Sequence, residues 1–233
     1  MIRLYTREIL SANNKFIPSE KQVHYLIHVM RLKDGDIVHL FNGTEGEWSA
    51  TVECVGKKTI FLHIREQVAV QENLQPCILC PALIKKENMD LILQKATELG
   101  VTHIYPLMTD RTVVRAFNFE RANTIIQEAC EQCERTQVPI LHQPQTIQDV
   151  LKQFDSSVTV VHLAERQSTS DTLSPTMIPA FFIGPEGGFS ERENQLLSQT
   201  NNVRHVHLGT TILRAETAAL AVVSAWQFRL FES

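Results

Sequence analysis

The sequence predicts an α/β protein in two parts: a small β barrel with one helix, followed by a parallel sheet covered by helices. Three observations carry this expectation. The first 70 residues are dominated by short strand-like runs; from residue 77 apolar runs alternate with amphipathic ones; and glycine-rich loops stand where apolar runs end. Strand and helix in strict alternation imply parallel strands buried on both faces.

In residues 1–70 one amphipathic helix is expected near "SEKQVHYLIHVMRL" (19–32), closed by the turn Asp34-Gly35. Strands follow near 36–42, 47–55 and 58–68, the first two joined by the hairpin "NGTEG". "QENLQP" (71–76) has the composition of a linker, so the domains are expected at 1–71 and 72–233. The second begins with an apolar strand at 77–83 and the helix "KENMDLILQKATELG" (86–100), with Met89, Ile92, Leu93 and Ala96 on one face and Gly100 as its stop. A strand at 102–107 and a helix from about 119 to 135 come next, then apolar runs at 138–141, 158–164 and 180–184 with helices around 146–154 and 190–199. The strand "VRHVHL" leads into the closing helix "AETAALAVVSAWQFRLF" (215–231).

Hydrophobic content of 43% and charged content of 21% are those of an ordinary globular protein. No apolar run approaches membrane-span length, and "MIRLYTREIL" lacks the long apolar core of a signal peptide, so a cytoplasmic protein without membrane contact is expected. A net charge of −4 excludes nucleic-acid binding over the whole surface. A local excess remains: Arg3, Arg7, Lys15, Lys21, Arg31 and Lys33 stand against only Glu8 and Glu20 in the first 33 residues. Such an excess permits phosphate contacts, and a solvated basic face is as common.

Five cysteines suit a reducing compartment. Cys77/Cys80 and Cys130/Cys133 form two C-x-x-C pairs, a pattern that also serves zinc. The first pair lies in a strand-like run, where residues three apart face opposite ways; the second, "EACEQCE", reads as helix with no turn to fold its sulfurs around an ion. Buried or incidental thiols are expected, and no metal.

Three strand ends hold the candidate chemistry: "VHLAER" (161–166), "IGPEGG" (183–188) and "LGTTILRAETAALA" (208–221). Ligands of parallel sheets bind at the carboxyl ends of strands. Glycines at 184, 187 and 188 let backbone approach a flat ligand without a Cβ in the way. The helix starting near Ala215 offers free N–H groups, with Glu216 and Thr217 in its first turn. None of the loops matches the dinucleotide or P-loop glycine patterns.

"IGPEGGFSERE" followed by "LGTTILRAETAALAVVSAW" resembles the SPOUT superfamily of S-adenosylmethionine-dependent RNA methyltransferases, and within it the 16S ribosomal RNA uridine-N3 methyltransferase family (RsmE). "KKENMDLILQKATELGVTHIYPLMTDRTV" (85–113), "EACEQCER" (128–135) and "HYLIHVMRLKDGD" (24–36) are similar to the same family, so the likeness spans nearly the whole chain. "CEQC" resembles a recurrent family stretch that needs no metal. The resemblance implies a PUA-like RNA-binding β barrel and a C-terminal trefoil-knot domain, against the rarity of knots. It further implies S-adenosylmethionine held by Leu163, Gly184, Pro185, Glu186, Gly187, Gly188, Leu208, Gly209, Ile212, Leu213, Thr217 and Ala218. Arg3, Arg7, Arg31, Lys85, Lys86 and Arg111 are the implied RNA contacts, a homodimer through the last helix the implied assembly, and 16S rRNA of the small ribosomal subunit, in its decoding region, the implied substrate.

Uracil N3 is an imide nitrogen and becomes a good nucleophile only on losing its proton. Arg214 is the candidate for stabilising the resulting charge, and Glu186 or Glu216 for accepting the proton or orienting that arginine. Glu216 could equally serve only as a charge at a helix N-terminus. Rival readings are methylation of another base or a ribose 2′-oxygen, a non-catalytic RNA-binding protein, and a zinc-dependent nucleic-acid binder.

Overall fold

The computed structural model describes residues 1–55, 59–114, 116–163 and 171–229. Its backbone contacts divide into two units: Met1–Asn73 with Cys130–Val138, and Leu74–Ala129 with Pro139–Ser233. A single cut between 71 and 72 leaves out the 130–138 segment of the first unit, which no change in composition marks.

The first unit is a five-stranded sheet in the order β1-β3-β4-β5-β2. Its strands are β1 (Arg3–Tyr5), β2 (Lys15–Phe16), β3 (Ile37–Phe41), β4 (Glu47–Val55) and β5 (Thr59–Ala69). β1 runs parallel to β3, and the other pairs are antiparallel. The β3–β4 hairpin turns through Gly43 and Gly46, both at positive φ; a Cβ on Gly46 would lie 2.2 Å from the Ala69 carbonyl oxygen. Alternate residues point inward, as strands require: Val38 and Leu40 from β3, Ala50 and Val52 from β4, Ile60, Leu62 and Ile64 from β5. The helix expected over 19–32 is shorter. α1 spans Glu20–His24 behind a Ser19–Gln22 capping box, then widens into a π turn at Tyr25–Val29, and Arg31 at φ 57° ends it.

The second unit contains β6 (Ile78–Pro81), α2 (Lys86–Glu98), β7 (His103–Ile104), α3 (Phe119–Cys133, its last turn in the first unit), β8 (Ile140–Leu141), α4 (Ile147–Leu151), β9 (Val158–Leu163), β10 (Ile178–Ile183), α5 (Glu191–Ser198), β11 (Val203–Val206) and α6 (Ala215–Arg229). The sheet order is β11-β9-β10-β6-β7-β8, and every pair is parallel. Successive residues of β10 face opposite layers. Phe181 meets Trp226 of α6 at 6.3 Å, whereas Phe182 meets Phe154 at 6.3 Å and shares a core with Val150 of α4 and Leu197 of α5. The sheet is therefore covered on both faces, which is why its strands read as continuous apolar runs. Gly100 stops α2 at φ +87°, and a Cβ there would come within 2.7 Å of the Gln227 side chain on α6. No helix among the described residues is long and apolar enough to cross a membrane.

Arg3, expected at an RNA-facing surface, is instead buried at 4% exposure. Its guanidinium grips Glu47 with Nε at 3.0 Å and Nη2 at 2.8 Å, donates to the Cys130 carbonyl at 2.9 Å, and lies 4.6 Å from the Phe41 ring centre. The net charge pattern counts Arg3 as basic surface; the fold uses it to tie β1 to β4 and to the 130–138 segment. Burial raises the pKa of Glu47, but Arg3 and His39 outweigh it and hold the carboxyl below its ordinary value. A lowered native pKa contributes stability above the ordinary carboxylate pKa, and that contribution is lost as the pH falls through the native value. Arg3→Ala is therefore expected to destabilise the protein by about 3–5 kcal/mol at pH 7, the scale for stranding one partner of a buried pair. The penalty should shrink toward pH 4, where Glu47 can take up a proton. Urea denaturation at both pH values checks this, and an equal or negligible penalty at both would contradict it.

Candidate functional site

Because all six strands of the second unit are parallel, the segments that follow them emerge at one edge. β9 lies between β10 and β11, with Phe182 opposite His162 and Leu163 opposite Val206. Leu163, the 184–188 loop and the segment beginning at Leu208 thus leave three neighbouring strand ends. Lys85 and Lys86, both exposed, follow β6 at the same edge, and Arg111 follows β7. Residues 164–170, the remainder of "VHLAER", lie outside the described residues.

The 184–188 loop is a tight turn closed by Gly188 N–H donating to the Pro185 carbonyl at 2.8 Å. A Cβ on Gly184 would stand 3.2 Å from Gly188 Cα and from Phe189 N, so Gly184 serves the turn itself. Gly188 sits at φ +67° with open space where its Cβ would project, and Gly209 at φ +96° has the same open space. These two glycines provide what a ligand pressed against backbone needs. Pro185 is buried while Glu186 and Gly187 are exposed.

Side chains outside the glycine motif hold this loop. Ser190 caps α5 in a capping box: Glu193 N–H donates to Ser190 Oγ at 3.2 Å, and Ser190 N–H to Glu193 Oε2 at 2.8 Å. The buried Glu193 also accepts from the Asp110 N–H at 2.8 Å. Asp110 in turn accepts from Ser190 Oγ at 2.6 Å and Arg192 Nη2 at 3.0 Å, and these two bonds hold its carboxyl below the usual pKa. Arg111 Nη1 donates to the Gly187 carbonyl at 2.6 Å. Beneath the loop His162 is 4% exposed, with its ring 5.7 Å from Phe189 and its Nδ1 3.2 Å from His205 Nδ1. Burial first, then the neighbouring His205, push its pKa down to about 4, so it is a neutral imidazole at neutral pH.

The segment after β11 places Gly209, Ile212, Arg214 and Thr217 at the surface, with Ile212 59% exposed, and leaves Leu208, Leu213 and Ala218 half-buried. Glu216 is buried in the first turn of α6, and its Oε2 has no hydrogen-bond partner among the described residues. An orphan carboxylate oxygen at a helix start, next to an exposed arginine, is an acceptor awaiting a donor.

The edge therefore brings together the expected cofactor residues, the three expected catalytic residues, and Lys85, Lys86 and Arg111. Arg7 and Arg31 are exposed in the first unit. Cys77 and Cys80 are buried in or beside β6, whereas Cys130 and Cys133 belong to the first unit; no group of three potential metal ligands occurs among the described residues. Sequence reasoning did not single out Asp110, His162 or Glu193. The S-x-x-E spacing from Ser190 to Glu193 was the available signal for the last; nothing local marks the other two.

Residues 71–227 match the RNA methyltransferase domain family, and residues 18–65 match the RNA methyltransferase PUA domain. The ribosomal RNA small subunit methyltransferase E of Rickettsia conorii is 37% identical, covering 99% of this chain and 96% of its own. The protein of the same name from Synechocystis is 33% identical over 88% of this chain and 71% of its own. Among solved structures, a ribosomal RNA small subunit methyltransferase E from Neisseria gonorrhoeae bound to S-adenosyl methionine is 30% identical, with a TM-score of 0.89 over 98% of both chains. With a parallel sheet whose glycine turns share one edge and an N-terminal PUA-like barrel, the chain belongs to the ribosomal RNA small subunit methyltransferase E family.

Proposed function

We propose that the chain transfers a methyl group from S-adenosylmethionine to N3 of one uridine in the decoding region of 16S rRNA, within the small ribosomal subunit. The observation that carries this is the convergence of the glycine turn and the Leu208–Ala218 segment on neighbouring ends of parallel strands, with Arg214 exposed beside them. The residues fit the cofactor. Open space over Gly188 and Gly209 suits a ligand packed against backbone, and the unpartnered Glu216 oxygen suits a polar neighbour. Leu163, Gly184, Pro185, Glu186 and Gly187 would line one side, and Leu208, Ile212, Leu213, Thr217 and Ala218 the other. S-adenosylmethionine supplies an electrophilic methyl group on its sulfonium.

The protein's part is to hold uracil N3 in line and to favour its anion. Arg214 is placed to neutralise charge developing on the base. Glu216, or the exposed Glu186, takes the N3 proton or orients Arg214. In this reading the second unit is the knotted methyltransferase domain, and the first, with Arg7 and Arg31, positions structured RNA. No step calls for a metal. α6 supports a homodimer: Ala219, Val222, Val223 and Trp226 are buried within the unit, yet Ala225 is exposed and Phe228 is 67% exposed.

Gly188→Ala places a methyl group in the open space and strains the backbone by about 1–2 kcal/mol. Affinity for S-adenosylmethionine should fall at least about tenfold in calorimetry while the variant stays folded; unchanged affinity would remove the loop from the cofactor site. Arg214→Ala should keep cofactor affinity and dimeric sedimentation but lower the methylation rate by about 100- to 1,000-fold. Ala225→Asp should sediment as an inactive monomer. A fully active monomer would refute the shared site, and an active Arg214→Ala enzyme would remove that residue's role.

A further inference from the structure

We propose that Arg111 is a positioning residue for methyl transfer: it locks the Gly187–Gly188 peptide in the orientation the donor site requires. The inference rests on the S-adenosylmethionine site proposed above. An exposed arginine in an RNA-modifying enzyme invites assignment as a phosphate contact. Its geometry here points inward, to the glycine turn.

A peptide flanked by two glycines rotates easily, because glycine adopts either sign of φ with little penalty. In this turn that peptide is held at both ends. Its N–H, from Gly188, donates to the Pro185 carbonyl at 2.8 Å, and its carbonyl, from Gly187, accepts from Arg111 Nη1 at 2.6 Å. The first bond is local to the turn. The second comes from a residue 76 positions away and is charge-assisted, the stronger class of hydrogen bond. The arginine stem also packs on the turn: a Cβ on Gly187 would meet Arg111 Cδ at 3.6 Å.

Arg111 is itself braced. Thr109 and Thr112 join through their hydroxyls at 2.7 Å, and Thr112 Oγ1 accepts from the Thr109 N–H at 3.1 Å, closing the loop that carries Arg111. Asp110 fastens that loop to the start of α5 through Ser190, Arg192 and Glu193. Adjacent residues thus hold both flanks of the glycine turn, Arg111 before it ends and Asp110 just after. Gly188, the residue at φ +67° facing open space, lies between the two anchors. Removing Arg111 frees the carbonyl end of the peptide, so the turn samples orientations that do not bind the cofactor, and apparent affinity falls by the fraction of time lost.

The test uses the full-length protein, with cofactor binding and exchange measured without RNA and RNA affinity measured separately. Arg111→Ala and Arg111→Lys are compared with the wild type by calorimetry with S-adenosylmethionine and by amide hydrogen exchange at Gly188 in the ligand-free state. Arg111→Ala should weaken cofactor binding about tenfold and speed exchange at Gly188, while the affinity for 16S rRNA fragments and its salt dependence stay as in the wild type. Arg111→Lys, which keeps one charged donor, should restore most of the affinity. Wild-type cofactor binding and Gly188 exchange in Arg111→Ala, with RNA affinity lost instead, would overturn the lock and make Arg111 an RNA contact. A wild type that fails to bind S-adenosylmethionine would overturn the donor site and the lock's purpose together, a result distinct from failure of the lock alone.

Discussion

Six strands running in one direction put every segment that follows a strand on the same edge of the sheet, and the candidate chemistry of this protein depends on that alignment. Residues far apart in sequence, around 85, 111, 163, 184–188 and 208–218, become neighbours because β6, β7, β9, β10 and β11 all end there. The alignment is in turn a consequence of burial. A parallel strand covered on both faces must be apolar throughout, and β10 meets that demand with Phe181 toward Trp226 and Phe182 toward Phe154.

At the edge, backbone does most of the shaping and side chains do most of the holding. A Cβ on Gly184 would crowd the turn, Gly188 and Gly209 sit at positive φ, and the loop is then kept in place by Asp110, Arg111, Ser190 and Glu193. In the proposed reading this division separates binding from reaction: the turn supplies surface for the cofactor, and Arg214, Glu216 and Glu186 act on the base. The same economy explains the neutral His162 packed under Phe189: a charge there would be buried against His205.

Much of this was legible in the sequence, for physical reasons. The strand–helix alternation after residue 77, the stop at Gly100 and the cap at Ser190 are local signals, and each marks an element boundary in the structure. β1 and β2, with three and two residues, are too short to show a period and were not anticipated. The helix expected over 19–32 loses its last turns to a π turn and to Arg31 at positive φ, which residue propensities do not reveal. Arg3 was misread because a basic residue near a terminus looks solvated, whereas its buried partner Glu47 stands 44 residues away. Asp110 escaped, and Arg111 was expected only as an RNA contact, for the same reason: their partners lie on another strand's loop, and only the tertiary fold brings them together.

The central claim is that this edge methylates one uridine of small-subunit RNA at N3. Mass mapping of methylated nucleotides in 16S rRNA, from cells lacking the gene and from the same cells carrying it, tests that claim most directly. The account predicts one N3-methyluridine that disappears with the gene, returns with the intact chain and does not return with Arg214→Ala. An unchanged set of methylated nucleotides, or a lost methyl group on a ribose oxygen or another base, would contradict it.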